Sequence, residues 1–106
     1  MISVINLKFY HPSNMIYIGR YNKYANLNKS ILANPFKITD TLTREESIAK
    51  YKNWLLRNIE AKTAVYDYLK KIQKASQSRD ILLGCWCKPE ACHGDVIKEI
   101  LETRKL

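Results

Sequence analysis

Apolar and polar positions along the chain predict strands at three places. Two short β-prone runs, Ile2–Leu7 and Met15–Ile18, are separated by the turn-forming residues His11–Asn14. The run Ile81–Trp86 is apolar almost throughout. Such a run is typical of a strand that is buried on both faces, in a parallel sheet covered by helices.

Three other segments have the spacing of amphipathic helices. Thr43-Arg-Glu-Glu46 has the pattern of a capping box, which predicts that a helix begins there. A second helix is predicted over Thr63–Ala75, and a third from about Gly94-Asp95. The apolar face of the first helix is formed by Ile48, Tyr51, Leu55 and Ile59, with Trp54 on its border. The stripes of the other two are Val65, Leu69 and Ile72, and Val96, Ile97, Ile100 and Leu101.

The resulting order is β, β, long loop, α, α, β, loop, α. It predicts the α/β class, as a small Rossmann-like domain with a short, mostly parallel sheet flanked by helices, in a single domain over residues 1–106. The long loop is Tyr21–Thr41, which is polar and Asn-rich and lacks any period. A loop of this length in a small domain is usually either functional or disordered.

Composition narrows the class of protein. A chain of 106 residues with 46% hydrophobic and 26% charged residues has the profile of a globular domain. Its apolar runs are far shorter than the roughly 20 residues that cross a bilayer, so no membrane partner is expected. The N-terminal residues lack the pattern of a signal peptide, and a cytoplasmic location is therefore expected.

The net charge of +8 favours anionic partners. A nucleotide or another anionic small molecule fits this charge, and so does nucleic acid. The basic residues are scattered along the chain, however, and an ordinary solvated surface has the same composition. The sequence carries no indication of oligomeric state.

The site segment, Cys85–Asp95, joins the third predicted strand to the last helix. Open α/β sheets bind ligands at such junctions, because the strand end and the free N–H groups of the helix converge there. Cys92 is a candidate thiolate nucleophile, since a helix N-terminus lowers a thiol pKa, and His93 is a candidate acid, base or donor. Gly94 would let a ligand approach the backbone. Asp95 is either a third catalytic group or a first-turn acid that stabilises the helix.

The same segment allows a metal site as an alternative. Cys85, Cys87 and Cys92, with His93, are the residue types of a zinc site. Their spacing argues against it, because the first two cysteines lie on one strand and Cys92 adjoins His93. Cys85 and Cys87 could equally be small buried hydrophobic residues.

Other candidate ligand-binding residues precede the helices. Gly19-Arg20 follows a predicted strand, where the guanidinium could bind a phosphate or carboxylate. Asn34 and Phe36 could hold a ring, although one buried Phe anchoring a loop explains Asn34-Pro35-Phe36 equally well. Stacking on bases is possible for Tyr10, Tyr17, Tyr21 and Tyr24.

These motifs together resemble domain-of-unknown-function family 4326, which occurs in bacteria and their phages. The resemblance covers nearly the whole chain. It is carried by Gly19-Arg20, Asn34-Pro35-Phe36, Arg44-Glu45-Glu46-Ser47-Ile48 with Tyr51 and Trp54-Leu55, Leu83 to Pro89, and Cys92-His93-Gly94-Asp95. Ala33 stands where the family pattern usually has Gly. The resemblance implies little about activity.

Three functions remain open from the sequence. The first is a nucleotide or nucleoside enzyme, a hydrolase or transferase, that uses Cys92, His93 and Asp95. The second is a non-catalytic phage or bacterial accessory protein that binds a nucleotide or nucleic acid. The third is an interaction domain stabilised by zinc.

Overall fold

The sheet of the protein has three parallel strands, described by a computed structural model that covers residues 1–106. Its strands are β1 (Ile2–Asn6), β2 (Ile16–Tyr17) and β3 (Ile81–Cys85), in the order β1-β3-β2. Ile2 lies opposite Ile81 in β3, and Ile16 lies opposite Leu83. The parallel α/β class predicted from the sequence is therefore confirmed.

β1 and β2 are consecutive in the chain but are not neighbours in the sheet, since β3 lies between them. A connection between parallel strands normally needs a dozen or more residues, because the chain must return to the opposite end of the sheet. Here β2 begins opposite Leu83, the same residue that pairs with Val4 in β1. The chain thus returns only about two residues' length, and a short turn closed by Met15 N–H on the Pro12 carbonyl is sufficient.

The helices are α1 (Arg44–Ala61), α2 (Ala64–Ser76) and α3 (His93–Thr103). The predicted capping box is present: Thr43 Oγ1 accepts from Glu46 N–H at 3.1 Å, and Glu46 Oε1 accepts from Thr43 N–H at 3.0 Å. α3 begins at His93, one residue earlier than expected. No helix is long and apolar enough to span a bilayer.

The helices pack on one face of the sheet, which corrects the expectation that β3 is covered by helices on both faces. The main core cluster includes Ile2, Ile81, Leu83 and Cys85, which alternate onto one side of the sheet, and residues of all three helices. Leu82 points to the other side and is only partly buried. Gly84 also lies on that side, where side chains from the β1–β2 connection cover it in place of a helix. Trp86 lies beyond the strand and is 38% exposed.

Candidate functional site

A pocket of about 390 Å³ opens where β2 and β3 end. Parallel strands place their carboxyl ends at one edge of the sheet, so the residues that follow each strand converge there. The first turn of α1, the start of α3 and part of the long loop complete the wall. The volume lies within the range of small-molecule sites, which is roughly 300–1,000 Å³.

The long loop is held in place by hydrogen bonds to α1. The Tyr51 hydroxyl donates to the Leu32 carbonyl at 2.7 Å, and Leu32 is fully buried. The Ser47 hydroxyl donates to the Phe36 carbonyl and accepts from Asn34 Nδ2 at 2.9 Å. The loop is therefore ordered, anchored to α1 and part of the pocket wall.

Asn34 is buried, and both ends of its amide are used within the protein. Its Oδ1 accepts from Phe36 N–H at 2.9 Å, which closes an Asx turn, while its Nδ2 donates to Ser47. Its carbonyl oxygen accepts from Arg20 Nη2 at 2.7 Å. Asn34 therefore positions Phe36 and Arg20 at the pocket rather than presenting a free amide to it.

Aromatic side chains form one part of the wall. The Trp86 indole N–H donates to the Tyr17 hydroxyl at 2.9 Å, and that hydroxyl donates to the Arg20 carbonyl at 2.6 Å. A Cβ at Gly19 would lie only 2.5 Å from the Tyr17 hydroxyl oxygen, so glycine leaves room for this ring to fold back over the chain. The aromatic lining residues are Tyr17, Tyr21, Phe36 and Trp86.

Three basic side chains line the pocket, those of Arg20, Lys37 and Arg44, and no Asp or Glu does. Arg44 also holds the site segment, because its Nη1 donates to the Ala91 carbonyl at 3.0 Å. Its Nη2 lies 3.3 Å from a carboxylate oxygen of Glu90, whose side chain is 68% exposed and does not line the pocket. No carboxylate in the wall therefore offsets the positive charge of these three side chains.

The three cysteines lie together at the pocket floor. Cys92 Sγ is 3.5 Å from Cys85 Sγ, and both residues are buried, whereas Cys87 is partly exposed. Hydrogen bonds from the thiols of Cys85 and Cys92, and then from the Arg44 guanidinium, hold the pKa of the Cys87 thiol below its ordinary value. The pKa of Cys92 is raised, first by its hydrogen bonds with Cys85 and Cys87 and then by burial.

These shifts correct one expectation. The helix N-terminus predicted a lowered pKa for Cys92, and the structure gives the opposite direction, because the proton of Cys92 is held in hydrogen bonds to neighbouring sulfurs. A negative charge among these three thiols is most stable on Cys87, whose pKa the neighbouring thiols and then the Arg44 guanidinium lower. The pattern Cys-x-Cys predicted metal binding as an alternative. The sequence could not show that Arg44, far away in the chain, lies near these cysteines.

His93 is buried at the start of α3 and lines the pocket. Its Nε2 is 2.6 Å from the Ile18 carbonyl, which can only accept, so Nε2 carries the proton. Burial lowers the pKa of His93, which favours the neutral ring. Nδ1 has no hydrogen-bond partner within the protein. Every fully buried side-chain nitrogen or oxygen has a partner, so Nδ1 is not fully buried and is accessible. It is available to accept a hydrogen bond or a proton.

Gly94 and Asp95 lie outside the pocket lining. A Cβ at Gly94 would meet Val4 Cγ1 at 2.8 Å and Ile18 Cδ1 at 2.9 Å, so the glycine allows α3 to approach the sheet closely. The Asp95 carboxylate accepts from Cys92 N–H at 3.1 Å and pairs with Lys88. Both residues are thus placed to support the start of α3.

The structure brings most of the predicted site residues to one pocket. Those that line it are Gly19, Arg20, Asn34, Phe36, Cys85, Cys87, Cys92 and His93. No group of three or more His, Cys, Asp or Glu side chains has an arrangement suited to a metal ion. Sequence reasoning assigned no role to Arg44, Lys37 or Trp86. The signals for Arg44 were its position directly after the predicted helix cap and its place in the Arg44–Ile48 motif of the family resemblance.

The fold and the pocket define a small parallel α/β protein with a basic, aromatic-lined pocket at the carboxyl edge of its sheet. The chain belongs to the family described as Domain of unknown function (DUF4326), whose model matches residues 6–103. The family predicted from the motifs is thereby confirmed.

A protein of Enterobacteria phage T4, described as an uncharacterized 12.4 kDa protein in the nrdA-td intergenic region, is similar to this chain. It is 29% identical over 85 residues, which cover 76% of this chain and 73% of the phage protein. No solved structure matches the chain at a significant level. The Rossmann-like label therefore stays a prediction, within the α/β class that the topology establishes.

Proposed function

We propose that the protein binds a nucleotide- or nucleoside-type ligand in the pocket at the ends of β2 and β3. One observation carries the proposal: the wall has three basic side chains and no carboxylate, and it also has four aromatic side chains. A nucleotide combines the two matching parts, an anionic phosphate and a flat ring that stacks on aromatic faces.

The anionic part of the ligand is assigned to the side of Arg20 and Lys37. Arg20 is anchored at one end by the Asn34 carbonyl and is otherwise exposed, so its remaining N–H groups are free to bind a phosphate. Lys37 is exposed and makes no hydrogen bond or ion pair within the protein. The ring is assigned to the aromatic wall, where the hydrogen bond to Tyr17 fixes the Trp86 indole.

Titration calorimetry with a nucleoside, its 5′-monophosphate and inorganic phosphate tests both halves of the proposal. The monophosphate is expected to bind more tightly than either part alone. Lys37→Ala is expected to weaken it about tenfold, since hydrogen bonds to charged groups contribute about 1.5–3 kcal/mol. Lys71→Ala is the matched control, because Lys71 is an exposed lysine of α2 outside the pocket. Absence of binding by every nucleotide tested, or equal losses in the two variants, would overturn the proposal.

Binding without catalysis is the second candidate function, and the positions of the candidate catalytic groups favour it. Cys92 is buried with a raised pKa, and Asp95 is committed to the helix start. Only the accessible Nδ1 of neutral His93 retains the character of a base. Incubation of the protein with a bound nucleotide, followed by chromatography, separates the functions: a product lost in His93→Gln supports processing, and an unchanged nucleotide supports sequestration.

Nucleic-acid binding is distinguished by length and salt. A mononucleotide pocket predicts that oligonucleotides bind no more tightly as they lengthen. A basic surface that tracks a strand predicts affinity that rises with length and falls steeply with salt.

A further inference from the structure

The thiol cluster of Cys85, Cys87 and Cys92 has an arrangement that ligand binding does not require. The sulfurs of Cys85 and Cys92 are 3.5 Å apart, and Cys87 lines the same pocket as both of them. Three thiols used only for packing need no cation beside them. Here Arg44 lines that pocket too, and its guanidinium is one of the groups that lower the pKa of Cys87, the most exposed of the three.

We infer that this cluster exchanges disulfide bonds with a small anionic disulfide, with Cys87 as the attacking thiol and Cys92 as the resolving thiol. Cys87 fits the first role because it is partly exposed and lines the pocket. Cys92 fits the second because it is buried, stands in the same site segment as Cys87 and lines the same pocket. A disulfide that carries carboxylates matches the basic lining.

The reaction balances in two steps. The Cys87 thiolate attacks one sulfur of the disulfide, which forms a mixed disulfide and releases the other half as a thiolate that takes a proton from solvent. Cys92 then loses its proton to solvent and attacks the Cys87 sulfur. The second half leaves as a thiol after protonation, and a Cys87–Cys92 disulfide remains. Two protein thiols are oxidised, and one small disulfide is reduced to two thiols.

The charge distribution sets the order of these steps. The pKa of Cys92 is raised first by its hydrogen bond with Cys85, then by that with Cys87, and then by burial. Once Cys87 is part of a mixed disulfide, its negative charge is gone and the contribution of Cys87 disappears. Cys92 then ionises more readily than in the reduced protein, which favours its reaction as the second step.

Reaction with glutathione disulfide, quenched in acid and followed by intact mass, tests the inference on the reduced full chain. The wild-type protein is expected to lose two thiols without accumulating a glutathione adduct. Cys92→Ser in a Cys85→Ser background is expected to accumulate that adduct at Cys87, because no other cysteine remains to resolve it. Cys87→Ser is expected to react at least about tenfold more slowly, since the thiolate is the nucleophile. Wild-type rates in Cys87→Ser, or no adduct in the double variant, would overturn the inference.

A second measurement does not depend on the folding of any variant. Limiting iodoacetamide is added to the native wild-type protein, and peptide mass spectrometry reports which cysteine is alkylated. Cys87 is expected to be labelled at least about tenfold faster than the buried Cys85 and Cys92. Equal labelling of the three thiols would refute the assignment. Nucleotide calorimetry on the reduced wild-type protein, which involves no cysteine chemistry, reports on the proposed ligand independently.

Discussion

Gly94 tests whether close packing of α3 on the sheet is what requires a glycine in the site segment. In Gly94→Ala the added Cβ would lie 2.8 Å from Val4 Cγ1, 2.9 Å from Ile18 Cδ1 and 3.3 Å from Cys92 Sγ. The first two distances are below van der Waals contact. Ile18, directly after β2, is fully buried and cannot yield without moving the core, and Val4 in β1 is partly buried.

Two effects of opposite sign decide the magnitude. Overpacking a well-packed core costs about 1–3 kcal/mol. Alanine stabilises a helix relative to glycine by about 0.5–1 kcal/mol, because the unfolded chain has less conformational entropy to lose on folding. We therefore expect Gly94→Ala to lower the free energy of unfolding by about 1 kcal/mol, within bounds of about 0 and 2.5 kcal/mol, measured by urea denaturation.

A double-mutant cycle with Val4→Ala isolates the contact. Removing the Val4 methyl groups makes room for the new Cβ, so the cost of Gly94→Ala is expected to fall in that background. Independent sites add to within about 0.3–0.5 kcal/mol, so a larger coupling would support the contact. An additive cycle, or a Gly94→Ala protein more stable than wild type, would refute the packing argument and favour a ligand-approach role for Gly94.

Two further predictions concern groups behind the pocket. Tyr51→Phe removes the donor to the buried Leu32 carbonyl and is expected to cost about 1–2 kcal/mol of unfolding free energy by urea denaturation, whereas Tyr68→Phe, which loses no hydrogen bond, serves as control. Burial lowers the pKa of His93, so the unfolded state binds the proton first as pH falls below about 6.5, and stability is lost on acidification. Denaturation at pH 7.5 and 5 is expected to show a smaller loss in His93→Gln than in wild type. The exposed His11→Gln should match wild type, and an equal effect of both changes would contradict the assignment to His93.

The elements of this fold could be predicted where one pattern dominates. α1 has both a capping box and an apolar face, and β3 is a short apolar run, so each was placed within a residue or two. The position of β3 between β1 and β2 could not be predicted, because strand order depends on contacts between distant parts of the chain. The single-sided helix layer was missed for the same reason: an apolar run does not show whether a helix or a loop covers it.

Some residues of the candidate site could be placed from the sequence and others could not. The residues that follow β2 and β3 could be placed at one edge, because parallel strands bring their ends together. The roles of Asn34 and Cys92 could not, since each depends on a partner far away in sequence. Ser47 occupies the Asn34 amide, and neighbouring sulfurs hold the Cys92 proton. A motif shows that an amide or a thiol is present, but its hydrogen-bond partners in the fold decide whether it is free to act on a ligand.

One consequence of this arrangement links the two proposals. The Cys87 thiolate is a negative charge in the wall of a basic pocket and pairs with Arg44. Oxidation to a Cys87–Cys92 disulfide would remove that charge and leave the guanidinium of Arg44 free to attract an anion. If both proposals hold, the oxidised protein binds the nucleotide monophosphate more tightly than the reduced protein, and Cys87→Ser, which lacks the charge without a disulfide, resembles the oxidised form. Calorimetry on the three proteins decides this. Equal affinities for the reduced and oxidised wild type would separate the thiols from the ligand and leave two independent properties in one pocket.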